Sequence, residues 1–168
     1  MSASTVGEGE RIFSTGAHVA HILRFEEGLA RAEARAGIIP NEAASAIADT
    51  CRVDLFDLAT LERDGLHAGT LAIPLVQQLI ARVPVPARPY VHWGATSQDA
   101  IDTARVLQMR EGLDVLVADL VGASDVLATL AESHRLSVMP GRTLLQQAVP
   151  ITFGLKAARW LGAVSRQI

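Results

Sequence analysis

Cysteine is almost missing from this chain of 168 residues: Cys51 stands alone. An intrachain disulfide is thereby excluded, and Thr50 and Arg52 beside it make no CxxC redox pattern, so Cys51 reads as a small core residue. Aromatic residues make up only 4%. No stretch reaches the roughly 18 uninterrupted apolar residues that a membrane span needs, and the polar opening MSASTVGEGER has no apolar leader core. Basic residues are scattered rather than clustered, and the net charge is -3. That pattern carries no electrostatic footprint for nucleic acid or an anionic membrane. The reading is a protein of the cytoplasm with neither class of partner. Phosphate loops, dinucleotide glycine patterns and nucleophile elbows are absent, as are internal repeats and strand-like alternation.

What remains is helical periodicity, and the expected fold class is all-α. After a polar leader, His18 to Ala36 carries Val19, Ile22, Leu23, Leu29 and Ala30 at helical spacing and stops at Gly37. Pro40 can open a second helix over 41–49. A short helix is expected from Asp54, which would cap it, with Arg63-Asp64-Gly65 as its end. Thr70 is a candidate cap for another helix, with Pro74 tolerated in its first turn. Pro84, Pro86 and Pro89 then forbid regular structure and mark a boundary. The expected division is an N-terminal helical domain over 1–89 and a second helical segment over 90–168.

The longest pattern follows that boundary. From Ala100 to His134, Val106, Met109, Leu113, Leu116, Leu120, Ala123, Leu127 and Leu130 recur by threes and fours, predicting one helix about 50 Å long. A second apolar line through Leu107, Val117, Val121, Ala128 and Ala131 predicts burial inside a bundle of long helices. Gly122 costs too little, about 1 kcal/mol, to break it. Beyond Met139-Pro140-Gly141 a further helix is expected near Pro150. It halts at Ile168 without a stop signal, so the chain is expected to be the front part of a larger protein.

Two polar clusters flank the long helix. His92, Thr96, Ser97, Gln98 and Asp99 lie before it. Hydroxyls and free N–H groups at a helix N-terminus suit an anionic small molecule, although Ser97 or Asp99 could simply be an N-cap. Arg142, Thr143, Gln146 and Gln147 lie after it, and the Arg142 fork is suited to clamping a carboxylate. The helix would separate the two clusters unless symmetric copies ran antiparallel. His18 and His21 are three apart, but no Cys or carboxylate completes a metal set around them, so they read as solvated or partly buried helix residues.

YVHWGATSQDAIDTA (90–104) and GRTLLQQAVPITFGLKAARWL (141–161) resemble the fumarase/aspartase superfamily, and within it the lactonising cycloisomerases of aromatic degradation. RIFSTGAHVAHILRFEEGLARAEARAGIIP and LAIPLVQQL extend the likeness over nearly the whole chain, which would correspond to roughly the first two-fifths of such an enzyme. The resemblance implies an all-α subunit whose second segment begins a central helical bundle, a homotetramer with sites shared between subunits, and neither metal nor organic cofactor. The implied reaction closes 3-carboxy-cis,cis-muconate, a polycarboxylate of the protocatechuate branch of the β-ketoadipate pathway, to a carboxymuconolactone. Thr96 and Ser97 would bind carboxylate, with His92, Gln98, Arg142 and Thr143 as further substrate-binding groups. Candidates for catalysis are Ser97, Gln146 and Gln147. Leu144 stands where lyases of the superfamily carry a catalytic His after Thr, and Thr70 stands at another of their histidine positions. That departure favours a cycloisomerase over an adenylosuccinate- or argininosuccinate-type lyase, with a non-catalytic helical assembly piece as the remaining alternative. The family's flexible serine loop lies beyond Ile168, so residues 1–168 alone are expected to be inactive.

Overall fold

The computed structural model describes residues 3–168, and side chains from residue 7 onward. It is largely helical, in two compact units, 3–112 and 113–168. The first unit contains α1 (Ala3–Ile12), α2 (Thr15–Arg35), α3 (Asn41–Thr50), α4 (Leu58–Ala68), α5 (Ala72–Arg82) and the beginning of α6 (Ser97–Ser133). The second contains the remainder of α6, the strands β1 (Val138–Thr143) and β2 (Gln146–Thr152), and α7 (Phe153–Val164).

The core of the first unit follows from the helical spacing of its apolar residues. Val19, Ile22 and Leu23 of α2 are buried together with Ile47 of α3, Leu61 of α4, Leu75 and Leu79 of α5, and Ala100 and Ala104 of α6. Small residues at 100 and 104, one turn apart, give α6 an inward face that helices can approach closely. Burying each of the large side chains contributes about 1.5–3 kcal/mol.

Local signals placed several boundaries differently from expectation. The polar leader is α1. Asp54 lies in a 3₁₀ turn, Val53–Leu55, and the cap of α4 is Asp57, whose carboxylate accepts from the N–H groups of Ala59 and Thr60. Both aspartates precede apolar residues at similar spacing, so the pattern could not choose between them. Gly65 sits inside α4; the helix ends four residues later at Gly69, which is left-handed at φ 74°. The proline-rich run is not irregular throughout, since Val85–Tyr90 form a 3₁₀ helix. Thr70 Oγ1 does accept from Ala72 N–H at the start of α5.

Three corrections concern the second half of the chain. Helix α6 is continuous through Gly122, as its periodicity requires, but its stripe is not buried. Val106, Met109, Leu113 and Leu116 are 52–58% exposed. Of α6, only Ala100, Ala104 and Gln108 are buried, because the short helices α2 to α5 cover only its beginning. Strands were not expected, yet β1 and β2 form an antiparallel hairpin in which Thr143 opposes Gln146 and Arg142 opposes Gln147. Its two-residue tip is Leu144-Leu145, both left-handed at φ 35° and 64°. Such tips normally signal themselves with Asn or Gly, and none stands here. Pro150 therefore lies on β2 opposite Pro140, and α7 begins only at Phe153, capped by Thr152 Oγ1 accepting from Leu155 N–H.

Candidate carboxylate-binding site

A cavity of about 500 Å³ in the first unit is lined by His18 of α2, Gly69, Thr70 and Leu71 between α4 and α5, and Thr96, Ser97, Gln98, Ile101 and Arg105 at the start of α6. The sequence builds it by two devices. Gly69 and Gly94 are both left-handed, at φ 74° and 69°, and bend the two loops whose residues meet there. Helix α6 then presents Ser97, Ile101 and Arg105 at intervals of four, on one face.

Asp99 is neither the N-cap nor a free anion. Its Oδ2 accepts from Thr96 N–H at 2.9 Å while Asp99 N–H donates to the Thr96 carbonyl at 3.0 Å, half of a capping box. Gln98 is likewise engaged, since its Nε2 donates to Asp102 Oδ1 at 2.7 Å. None of the residues lining the cavity is acidic, whereas hydroxyls, an imidazole and a guanidinium converge on it. Such a lining suits an anion.

His92 is not among the lining residues. The turn it occupies is left-handed, at φ 56°, and its Nδ1 lies 2.6 Å from Glu26 Oε1 on α2. The hydrogen bond to Glu26 raises the His92 pKa, against the opposing effect of burial. Glu33, two turns further along α2, is raised chiefly by burial and then by the negative charge of Glu26. One oxygen of each carboxylate, Oε2, is buried with no partner among the described residues.

Arg142, Thr143, Gln146 and Gln147 are all exposed and belong to the hairpin of the second unit, with Arg142 and Gln147 forming one cross-strand pair and Thr143 and Gln146 the next. Leu144 is 90% exposed. Two polar side chains of the cavity, His18 and Arg105, were not read from the sequence as parts of it. The signal for Arg105 was available, because a polar residue two turns beyond Ser97 continues the same helical face. His18 gave no such signal, since only the tertiary fold brings α2 beside α6. Among the described residues no group of three or more His, Cys, Asp and Glu side chains could hold a metal ion, and no helix is long and apolar enough to cross a membrane.

Residues 9–168 match the family described as Lyase. The chain belongs to that family, and its fold is the helical fold of the fumarase/aspartase type. A curated relative, the 3-carboxy-cis,cis-muconate cycloisomerase of Bradyrhizobium diazoefficiens, is 47% identical over 149 residues, which is 87% of this chain and 33% of that protein. The crystal structure of 3-carboxy-cis,cis-muconate lactonizing enzyme from Pseudomonas putida superposes with a TM-score of 0.90 at 44% identity, covering 94% of this chain and 36% of that one. The crystal structure of a fumarate lyase from Mesorhizobium sp. BNC1 is similarly close, with a TM-score of 0.88 at 42% identity, covering 95% and 38%. The chain thus spans about a third of the length of the relatives it matches.

Proposed function

We propose that the protein acts as a lactonising cycloisomerase on 3-carboxy-cis,cis-muconate, in the protocatechuate branch of aromatic degradation. The observation that carries this reading is the cavity itself: Thr70, Thr96 and Ser97 bring hydroxyls, and Arg105 a guanidinium, to a space that no acidic residue lines. In the reaction, one substrate carboxylate adds across a conjugated double bond while a proton is delivered to carbon. Groups aimed at the other carboxylates hold the diene against the attacking oxygen and stabilise the charge that develops. Thr96 and Ser97 would take one carboxylate, with Gln98 beside them. His92, tied to Glu26, would hold the turn that carries them. Arg142 and Thr143 would supply donors from the hairpin of another copy of the chain, with Ser97, Gln146 and Gln147 as the groups closest to the chemistry.

The proposal includes a division into a helical domain over 1–89 and the start of a bundle over 90–168, assembly as a homotetramer, and action in the cytoplasm. The half-exposed stripe on α6 supports assembly, since exposed apolar patches of this kind mark contact surfaces. The likeness to a fumarate lyase favours a second reading, elimination from a substituted succinate. Leu144 weighs against it, because a hydrocarbon side chain cannot transfer a proton.

Following the loss of diene absorbance when the complete gene product meets 3-carboxy-cis,cis-muconate tests the assignment. Lactone formation is expected. No lactone, together with formation of fumarate from a substituted succinate, would overturn it in favour of the lyase.

A further inference from the structure

His18 and Arg105 line the cavity from two different helices, α2 and α6. What sets His18 is Gln108, only 6% exposed, whose Nε2 donates to the Ile12 carbonyl oxygen at 2.8 Å. A carbonyl oxygen only accepts, so the Gln108 amide has one orientation, with Oε1 turned to His18 Nδ1 at 2.8 Å. Oε1 also only accepts. His18 is therefore held with its proton on Nδ1, and Nε2 is the ring nitrogen with no protein partner among the described residues. Arg105 forms no ion pair among the described residues either. Side chains on a helix lean toward its N-terminus, which tilts Arg105 toward Ser97, about 12 Å away along the axis.

We infer that His18 Nε2 and Arg105 form a second carboxylate subsite, with Gln108 as the positioning residue behind His18, so that the cavity selects substrates carrying one carboxylate more than Thr96 and Ser97 can hold. The inference rests on the carboxylate-binding reading of Thr96 and Ser97. Because Nδ1 keeps its proton on Gln108, Nε2 can donate to an anionic oxygen only after the ring takes up a second proton.

Calorimetry on the complete gene product, with glutarate and butyrate as probes, separates the subsites. Wild type is expected to bind the dicarboxylate about tenfold more tightly than the monocarboxylate, the scale of one charge-assisted contact in water. Arg105→Gln and His18→Asn should each erase that preference, whereas Ser97→Ala should weaken both probes alike. Asparagine places its amide nitrogen where Nδ1 was, so His18→Asn keeps the bond to Gln108 and an unchanged melting temperature. A wild type without the preference, or a preference surviving in both variants, overturns the subsite. A protein that shows these probe preferences yet forms no lactone overturns the reaction assignment and leaves the subsite standing.

Discussion

His92 Nδ1 lies 2.6 Å from Glu26 Oε1, joining the turn before α6 to the middle of α2 across 66 positions of sequence. Glu26 is 1% exposed, so its charge is tolerable there only while the imidazole faces it. The pair makes the geometry of the turn a property of the core of the unit.

That relationship predicts a pH dependence with a definite sign. The His92 pKa is raised above its ordinary value, first by the hydrogen bond to Glu26. Its contribution is therefore complete below about pH 6.5, the usual imidazole value, and is lost as pH rises through the higher folded value. Urea melts at pH 6 and pH 9 should show wild type losing stability on the alkaline side. His92→Ala should be destabilised at pH 6 by about 3–5 kcal/mol, the cost of leaving a buried carboxylate unpaired, and should show less alkaline decline. Equal decline in both proteins would remove His92 as the cause.

Glu33 shifts in the same direction from a different cause. Burial raises its pKa, and its Oε2 has no partner among the described residues. A carboxyl raised in the fold contributes fully below its unfolded value and loses that contribution as pH rises. Glu33→Met, similar in length and without the unpaired oxygens, should gain about 1–3 kcal/mol at pH 7 and little at pH 4. A loss of stability at pH 7 would mean that Glu33 is paired in solution.

In the complete gene product, Ser97→Ala and Arg142→Ala should each lower turnover of the muconate by about 10²- to 10³-fold, the usual cost of removing a donor to a developing oxyanion. Steady-state kinetics at matched stability check this. Wild-type rates in both variants would reject the anion-site reading of these residues.

Cys51 is half-buried, and burial, followed by the charges of Glu26 and Glu27, pushes its thiol up to about 12. Only the thiolate reacts. A disulfide reagent at pH 8 should therefore modify it slowly in the folded protein and rapidly in urea. Rapid modification in the native state would show that the α3 terminus opens readily.

Helix identity was legible in the sequence wherever a long apolar period coincided with its stop signal. Val19, Ile22 and Leu23 announce α2, and Gly37 follows its end. The continuity of α6 through Gly122 was legible too, because one glycine costs less than the packing of many turns. The loop-plus-helix signature of Thr96 and Ser97 located one wall of the cavity. Boundaries were less legible where two candidate caps competed, as with Asp54 and Asp57. The hairpin was hidden because Leu144-Leu145 carries none of the residues that favour a left-handed tip.

The sequence by itself determined the long helices α2 and α6 and the residue types at the head of α6, since these are written in spacing of three and four and in the hydroxyls beside a glycine. Only the tertiary structure decided which histidine serves the cavity. His92, three residues before Ala95, is drawn into the core by Glu26, while His18, 78 positions before Thr96, lines the cavity with it. Such pairings depend on which faces of α2 and α6 are buried together, a long-range packing outcome that no local pattern records.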